Sequence, residues 1–196
     1  VLADFLRTYV QDAVSHVHIL PFFPFSSDDG FAVIDYRLVN PELGDWNDIR
    51  ELGKDYRLMA DLVINHVSRE SLWFRNYRSG RDPGRGFFIE ADPRTDLSRV
   101  VRPRSLPLLT PVDTVNGRRQ VWTTFSADQI DLNFANPALL AEMLRIFLFY
   151  LEQGIRIIRL DAIAFLWKEP GTRCLHLPQT HEVVKLMRDI AACIDP

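Results

Sequence analysis

The stretch Gly154-Ile-Arg-Ile-Ile-Arg-Leu-Asp161-Ala-Ile-Ala-Phe165 has the pattern of a buried strand that follows a helix and ends in a carboxylate. An amphipathic segment precedes it, and Gly154 is placed to end that helix. The run 155–160 is rich in β-branched residues, which is typical of a strand inside a sheet. Alternate side chains of a strand share a face, so we expect Arg159 and Asp161 to point the same way.

This arginine and this carboxylate could serve either chemistry or stability. A guanidinium two residues before a carboxylate, at the carboxyl end of a buried strand, would hold that carboxylate ionised in a dry place. A nucleophile or an electrostatic stabiliser needs such a setting. A structural ion pair without chemistry is the alternative. The other strands must decide between the two.

Composition favours a soluble globular protein without a nucleic-acid partner. The chain has 196 residues, 47% hydrophobic and 25% charged, with a formal net charge of −3. This slightly acidic balance argues against nucleic acid or an anionic membrane surface as a partner. No apolar run reaches the roughly 18 residues of a membrane span. Cys174 and Cys193 lack metal-ligand spacing, so we expect a reduced, cytoplasmic protein.

The first part of the chain alternates helical and strand patterns. Apolar spacing indicates helices, short apolar runs bounded by proline or polar residues indicate strands, and Asp45 and Gly53 have the positions of a helix N-cap and stop. The predicted elements are a helix over 1–14, a strand over 17–23, a helix over 45–53, a strand over 57–66 and a helix over 70–77.

The second part contains an irregular excursion before the alternation resumes. Prolines, glycines and arginines replace helical periodicity over 81–123, which indicates a small loop-rich subdomain. Asn136-Pro137 provides an N-cap and an N1 proline for a helix that runs to Gln153. The strand quoted above follows, and a last helix is predicted over 179–194.

Strands separated by helices predict βαβ units, a parallel sheet and helices packed outside it. Polar residues gather where the predicted strands end: Asp28 follows the first, Asn65 and His66 end the second, and Asp161 ends the third. Active sites of β/α barrels and doubly wound sheets lie at that edge. This coincidence favours the functional interpretation of Asp161 over a structural ion pair.

Three segments resemble the α-amylase family of glycoside hydrolases (family 13). They are Asp61-Leu-Val-Ile-Asn65-His66, Gln129-Ile-Asp131-Leu-Asn133 and Gly154-Ile-Arg-Ile-Ile-Arg159-Leu-Asp161-Ala162, in the family's order. The resemblance implies an α/β fold: a partial (β/α)8 TIM barrel of about three to four βα units. Residues 1–80 and 124–196 would form the partial catalytic barrel. Residues 81–123 would form the inserted subdomain after the strand ending at His66.

Within that family the chain is most similar to the sucrose phosphorylase group. The supporting residues are His18-Ile-Leu-Pro-Phe-Phe23, Gly30-Phe31, Leu43-Gly44-Asp45-Trp46, Asn65-His66-Val-Ser68-Arg-Glu70-Ser71, Arg102-Pro103-Arg104 and Gly171-Thr172-Arg-Cys174. The resemblance implies a retaining α-glucosyl transfer, in which an α-glucoside and phosphate give α-glucose 1-phosphate. Asp161 would be the nucleophile that forms a covalent glucosyl enzyme, and Arg159 would orient it and keep it ionised.

The resemblance also implies a set of substrate contacts. His66 and Asp28 would bind glucose hydroxyls, and Phe31 would cover the apolar face of the sugar. The acceptor side would be bordered by Phe125 and Gln129. Arg104 would contact phosphate, for which a guanidinium offers a bidentate fork.

Cofactor and partner expectations follow from the same resemblance. Inorganic phosphate would be a co-substrate, with neither pyridoxal phosphate nor a metal ion required. Asn65 is a calcium ligand in many amylases, but no further oxygen cluster completes a site of six to eight ligands here. The partners expected are a small sugar or sugar phosphate, and a complementary chain or an oligomer, but no nucleic acid and no membrane.

The general acid/base of the resembled family is a glutamate for which the chain offers no match. Glu70 and Glu169 do not end predicted strands, so neither is assigned that role. We therefore expect a fragment of a glycoside phosphorylase that is inactive alone. The alternatives are an α-glucosidase or amylosucrase-like transglycosylase, and a non-catalytic carbohydrate-binding or subunit fragment. The loop 25–31 and Val101 differ from sucrose phosphorylases proper, which makes a phosphorylated or acidic acceptor at least as suitable as fructose.

Overall fold

The computed structural model describes residues 1–92 and 94–194. Its helices are α1 (Leu2–Phe5), α2 (Trp46–Leu52), α3 (Leu72–Arg78), α4 (Pro137–Glu152) and α5 (Pro178–Ile194). Its strands are β1 (His16–Ile19), β2 (Arg57–Val63), β3 (His66–Ser68), β4 (Leu109–Thr114), β5 (Gly117–Trp122), β6 (Gln129–Asp131) and β7 (Ile155–Asp161). No helix within these residues is long and apolar enough to cross a membrane.

The main sheet is parallel and has the strand order β1-β2-β7. The helices between these strands return the chain to the same end of the sheet, as the alternation of patterns predicts. In the register of β2 on β7, Asp61 lies beside Arg159 and Val63 lies beside Asp161. The parallel βαβ arrangement is confirmed, and the polar ends of the three strands meet at one edge.

The strand predicted over 57–66 is interrupted in the structure. β2 ends at Val63, and β3 starts at His66 and pairs antiparallel with β6, outside the main sheet. Asn65 lies at the break, where its side chain turns into the interior to meet the carboxylate of Asp131. This change of partner sets His66 opposite Asp131.

β7 is less buried than its sequence predicts. It lies at the edge of the sheet, with β2 as its only paired neighbour among the described residues. Ile155 is fully buried, but Arg156, Ile157 and Arg159 are exposed. An apolar, β-branched run predicts a strand that can be buried, but it does not predict which neighbours cover that strand.

The single helix predicted over 1–14 is also wrong. One turn of α-helix, α1, passes into a π-helical turn at Leu6–Val10 and a 3-10 turn at Gln11–Ala13. Leu6 is buried and Ala3 and Val10 pack half-buried against the core, while Phe5 and Tyr9 stay exposed. The positive φ of Gln11 ends the helical path.

The remaining helices form where their capping residues predict. Asp45 accepts from the backbone N–H groups of Asn47 and Asp48 in a capping box at the start of α2. Asn136 accepts from the N–H of Ala138 at the start of α4. The core-facing residues of α4 are Leu139, Met143, Ile146, Phe147 and Tyr150.

The irregular segment 81–123 contains the β4–β5 hairpin and long stretches without regular structure. Part of it packs on the main core through Phe87, Phe88, Val112 and Val121. A smaller cluster forms around Leu108, Trp122 and Cys174. The division of the chain into barrel and inserted subdomain stays a prediction.

Replacement of Gly30 by alanine should destabilise the chain more than the same change at Gly117. Both glycines have positive φ, for which a side chain costs about 1–2 kcal/mol. A Cβ on Gly30 would lie 2.6 Å from the backbone oxygen of Pro21, whereas a Cβ on Gly117 would meet nothing within 4 Å. We expect a loss of roughly 3 kcal/mol for Gly30→Ala and about 1 kcal/mol for Gly117→Ala. Urea unfolding of both variants measures the difference, and equal midpoints would contradict it.

Candidate active site

The carboxyl ends of the strands bring together a fully buried acid and three neighbours. Asp61 of β2 has no exposed surface. Its Oδ2 lies 2.8 Å from Nε2 of His18 on β1, and its Oδ1 accepts a short hydrogen bond from Nη1 of Arg159 on β7. The same Nη1 lies 3.1 Å from Oδ1 of Asp161. Arg159 therefore bridges two carboxylates rather than serving Asp161 alone.

The shared arginine changes the electrostatics expected for Asp161. Burial is the largest influence and raises the pKa of its carboxyl above the ordinary 3.8. A protonated His66 and the charge of Arg159 would each lower this pKa, and the charge of Asp61 raises it. The guanidinium opposes burial but does not outweigh it. That Arg159 keeps the carboxylate ionised stays a prediction.

His66 is buried beside this pair as a neutral ring. Its Nε2 lies 3.0 Å from the carbonyl oxygen of Phe31, which can only accept, so Nε2 carries the proton. Its Nδ1 lies 3.2 Å from the amide nitrogen of Asn65, from which it accepts. Burial is the main influence on the pKa of His66 and lowers it. The ring therefore stays uncharged near neutral pH.

Asp28 lies on the loop after β1 and is reached by two predicted site residues. Nε2 of Gln129 donates to Oδ2 of Asp28 across 2.9 Å, and Nη2 of Arg104 lies 3.3 Å from Oδ1. Asp28 and Asp29 both have positive φ, so the loop turns sharply. Ser26 and Ser27 donate to the carboxylate of Asp128 at 2.6 and 2.5 Å and hold the turn.

The two predicted aromatic contacts differ in the structure. The ring of Phe125 has its centroid 5.1 Å from that of His66 and meets Phe165 edge-on at 5.4 Å, so it stands at the site. The ring of Phe31 packs half-buried on the main core. The atom of Phe31 that reaches the site is its carbonyl oxygen, which His66 contacts at 3.0 Å. A sugar-covering role for either ring stays a prediction.

The sequence patterns do not single out His18, Asp61 or Lys168 as site residues. Asp61 was recognised only as part of a motif, and its partnership with Arg159 depends on the strand register. Lys168 carried no signal at all. Its side chain is 2% exposed, and its Nζ lies 2.6 Å from Oδ2 of Asp131. A lysine in a loop after a strand is ordinarily a solvated residue, so only the packing reveals it.

The predicted site residues Asp28, Phe31, His66, Phe125, Gln129 and Asp161 thus come together at one edge of the sheet, and Arg104 and Arg159 reach it through ion pairs. No hydrogen bond or ion pair joins Glu70 or Glu169 to Asp161 in the described part of the chain, and neither lies on a strand. Within residues 1–92 and 94–194, no group of three or more His, Cys, Asp or Glu side chains could hold a metal ion.

Comparison with known proteins gives a consistent picture. The model of the alpha-amylase catalytic domain matches residues 7–194. The chain is 57% identical over 195 residues to the glucosylglycerate phosphorylase of Spirochaeta thermophila, covering 100% of the chain and 33% of that enzyme. It is 33% identical to the sucrose 6(F)-phosphate phosphorylase of Thermoanaerobacterium thermosaccharolyticum, covering 97% of the chain and 42% of that enzyme.

Solved structures agree with the sequence matches. The crystal structure of sucrose 6F-phosphate phosphorylase from Thermoanaerobacter thermosaccharolyticum superposes with a TM-score of 0.90 at 32% identity. The superposition covers 98% of this chain and 42% of that one. The chain therefore spans between a third and about two fifths of the length of these relatives.

Asp161→Asn should raise the free energy of unfolding at neutral pH. A carboxyl whose pKa is raised by the fold binds its proton more readily folded than unfolded, so its charged form destabilises the folded state. This penalty is absent below the unfolded value of 3.8 and complete above the raised folded value. The gain from Asp161→Asn should therefore shrink as the pH falls towards 4. Urea unfolding at several pH values measures it.

Asp12→Asn is the matched control for this measurement, since Asp12 is exposed and forms no ion pair within the described residues. Its stability difference from the wild-type chain should be near zero at each pH, within about 0.5 kcal/mol. A loss of stability for Asp161→Asn at neutral pH would show that Arg159 outweighs burial, contrary to the direction given above.

Proposed function

Because the chain belongs to the α-amylase family (glycoside hydrolase family 13), we propose that it forms part of a retaining glycoside phosphorylase. Such an enzyme converts an α-glucoside and phosphate into α-glucose 1-phosphate. The observation that carries the proposal is the position of Asp161 at the carboxyl end of β7, 3.1 Å from Arg159. His66 adds a neutral, buried N–H donor at the same edge. Sequence identity to phosphorylases extends over the whole chain and supports the choice within the family.

The chemistry proposed is a double displacement. The carboxylate of Asp161 attacks the anomeric carbon of the α-glucosyl group and forms a β-glucosyl ester, while the bond to the leaving oxygen breaks. The leaving oxygen takes its proton from a general acid that we place outside the described residues. A phosphate oxygen then attacks the same carbon from the face that the leaving group vacated. The ester breaks, and α-glucose 1-phosphate leaves with retained configuration.

Arg159 serves this reaction by fixing the direction of the attacking carboxylate. Its Nη1 already has Asp61 as a strong, fully buried partner, so the guanidinium cannot swing away with the departing charge. When Asp161 is consumed in the ester, Arg159 keeps the carboxylate of Asp61 as its counter-charge. Asp161 therefore returns to the same position in each cycle.

The substrate contacts proposed are those of the edge around Asp161. His66 offers its Nε2–H to a glucose hydroxyl in exchange for the carbonyl of Phe31, and Asp28 accepts from hydroxyls on the other side of the ring. Phe125 and Gln129 border the acceptor. Arg104 is 47% exposed and its contacts to Asp28 are long, at 3.3 and 3.4 Å. A phosphate dianion is a stronger partner for that guanidinium than a distant carboxylate.

We propose an acidic acceptor rather than fructose. The relatives named glucosylglycerate phosphorylase are 51–57% identical to the chain, and those named sucrose phosphorylase are 31–36% identical. Arg104 is also available to a carboxylate, for which a guanidinium is a matched donor. Inorganic phosphate is the co-substrate in this proposal, and the mechanism uses no metal ion and no pyridoxal phosphate.

A chimaera tests the function of this chain directly. Residues 1–196 replace the matching segment of the glucosylglycerate phosphorylase of Spirochaeta thermophila, which supplies the rest of the barrel. We expect phosphate-dependent formation of α-glucose 1-phosphate from an α-glucosylglycerate and much weaker activity on sucrose. Asp161→Asn in the chimaera should lower kcat by roughly 10⁴-fold or more, as loss of a catalytic nucleophile does. Asp12→Asn should retain the activity.

Two results would overturn the proposal. Release of free glucose at a rate independent of phosphate would favour the α-glucosidase or transglycosylase alternative. A folded chimaera that binds glucose but turns over no glucoside would favour the non-catalytic alternative. Each result is read only after circular dichroism and thermal unfolding show that the chimaera is folded.

The isolated 196-residue chain should show no measurable phosphorolysis. Loss of general acid catalysis costs about 10²–10⁴-fold by itself, before any loss of substrate contacts. The assay is release of α-glucose 1-phosphate from an α-glucosylglycerate or sucrose, with the chimaera as the positive control. Turnover by the isolated chain within tenfold of the chimaera would contradict this expectation.

A further inference from the structure

Lys168 is an internal ammonium group next to the candidate site that the proposed reaction does not use. It follows the 3-10 turn Ile163–Phe165 after β7, and its side chain is 2% exposed. Its Nζ lies 2.6 Å from Oδ2 of Asp131 and 2.5 Å from Oδ1 of Asn65. A buried ion pair of this kind contributes little net stability, because desolvation offsets the attraction. We therefore ask which neighbouring side chain Lys168 orients.

Asp131 has other donors besides the lysine. Its Oδ1 accepts from the backbone N–H of Thr124 at 2.9 Å, and its Oδ2 accepts from the hydroxyl of Thr124 at 2.5 Å. The amide nitrogen of Asn65 lies 3.2 Å from the same Oδ2. The position of the carboxylate is therefore fixed without Lys168. The distinctive contact of the ammonium is the one with Asn65.

An ammonium group can only donate, which decides the orientation of the Asn65 amide. The atom of that amide facing Nζ must be the oxygen. The amide nitrogen then faces the opposite way, towards Asp131 and towards Nδ1 of His66, 3.2 Å distant. With a neutral neighbour in place of the ammonium, only the 3.2 Å contact with Asp131 would oppose a turn of the amide that presents its oxygen to the ring.

The orientation of Asn65 favours the same tautomer of His66 that the carbonyl of Phe31 requires. A donor facing Nδ1 requires that Nδ1 be unprotonated, so the single proton of the neutral ring lies on Nε2. Nε2 is the ring atom at the site, 3.0 Å from the carbonyl oxygen of Phe31. The amide nitrogen of Gln129 lies 3.2 Å from Nε2 but directs its hydrogens to Asp28 and to the same carbonyl oxygen, so it leaves Nε2–H free to donate. The series of contacts thus leads from the ammonium of Lys168, through the amide of Asn65, to Nε2 of His66, which donates.

We propose that Lys168 is a positioning residue which, through Asn65, keeps His66 in the Nε2–H tautomer at the candidate site. The consequence for sugar binding rests on the proposed function. The tautomer itself does not, since the contacts that fix it lie within the described chain.

Nitrogen NMR of the full 196-residue chain without sugar tests the proposal. The ring nitrogens of His66, assigned by their loss in His66→Gln, should show a bare Nδ1 and a protonated Nε2. Lys168→Met should raise the Nδ1–H tautomer by roughly fivefold, the worth of one ordinary hydrogen bond. Lys168→Arg, which also only donates, should restore the wild-type pattern. Lys185→Met, on the exposed side of α5, is the control and should change nothing.

An unchanged His66 spectrum in a folded Lys168→Met chain would overturn the proposal. If that variant does not fold, Asn65→Asp provides the decision. It keeps an acceptor for Lys168 but faces Nδ1 with an oxygen, so Nδ1 should become protonated, and a bare Nδ1 would overturn the proposal. These readouts need no substrate, so failure of the chimaera to phosphorolyse would count against the proposed function alone.

Discussion

The buried carboxylate of Asp61 is the constraint on which the rest of the candidate site depends. A carboxylate without exposed surface requires a counter-charge and hydrogen-bond donors in the interior. The parallel register of β2 on β7 supplies Arg159, and β1 supplies His18 from the other side. One side chain thereby links all strands of the main sheet. A shift of β7 by one residue would turn Arg159 to the opposite face and leave Asp61 uncompensated.

This requirement carries through to Asp161. Arg159 is held in place by Asp61, and its remaining donor capacity reaches Asp161 at 3.1 Å. The carboxylate of Asp161 is therefore oriented by Arg159, which its ion pair with the buried Asp61 already holds in place. Its pKa remains raised by burial because the guanidinium is divided between two acids. Arg159 and Asp161 form a simple ion pair in the sequence pattern, but in the fold Asp61 is a third charged partner.

The sequence predicts local features well and long-range ones poorly, for a physical reason. Caps such as Asp45 and Asn136 act on backbone groups two or three residues away, so their signal is local and is confirmed. The partnership of Asp61 with Arg159 joins residues 98 positions apart and requires the strand register. Lys168 and Asn65 are 103 positions apart. Candidate residues at strand ends, and Arg159 two residues before Asp161, could therefore be named, but the distant partners Asp61 and Lys168 could not.

The balance of charge at the site accounts for its proposed chemistry. Asp61, Asp131 and Asp161 bring three negative charges, Arg159 and Lys168 bring two positive charges, and His66 is neutral. Two of the carboxylates are fully buried and compensated, so the unbalanced charge belongs to Asp161, whose side chain is 17% exposed. Glucosyl transfer develops positive charge at the anomeric carbon. The raised pKa indicates that the site disfavours the free carboxylate of Asp161. The positive charge that develops at the anomeric carbon would compensate that carboxylate. The unbalanced negative charge of Asp161, which destabilises the fold, would thus stabilise the positively charged transition state.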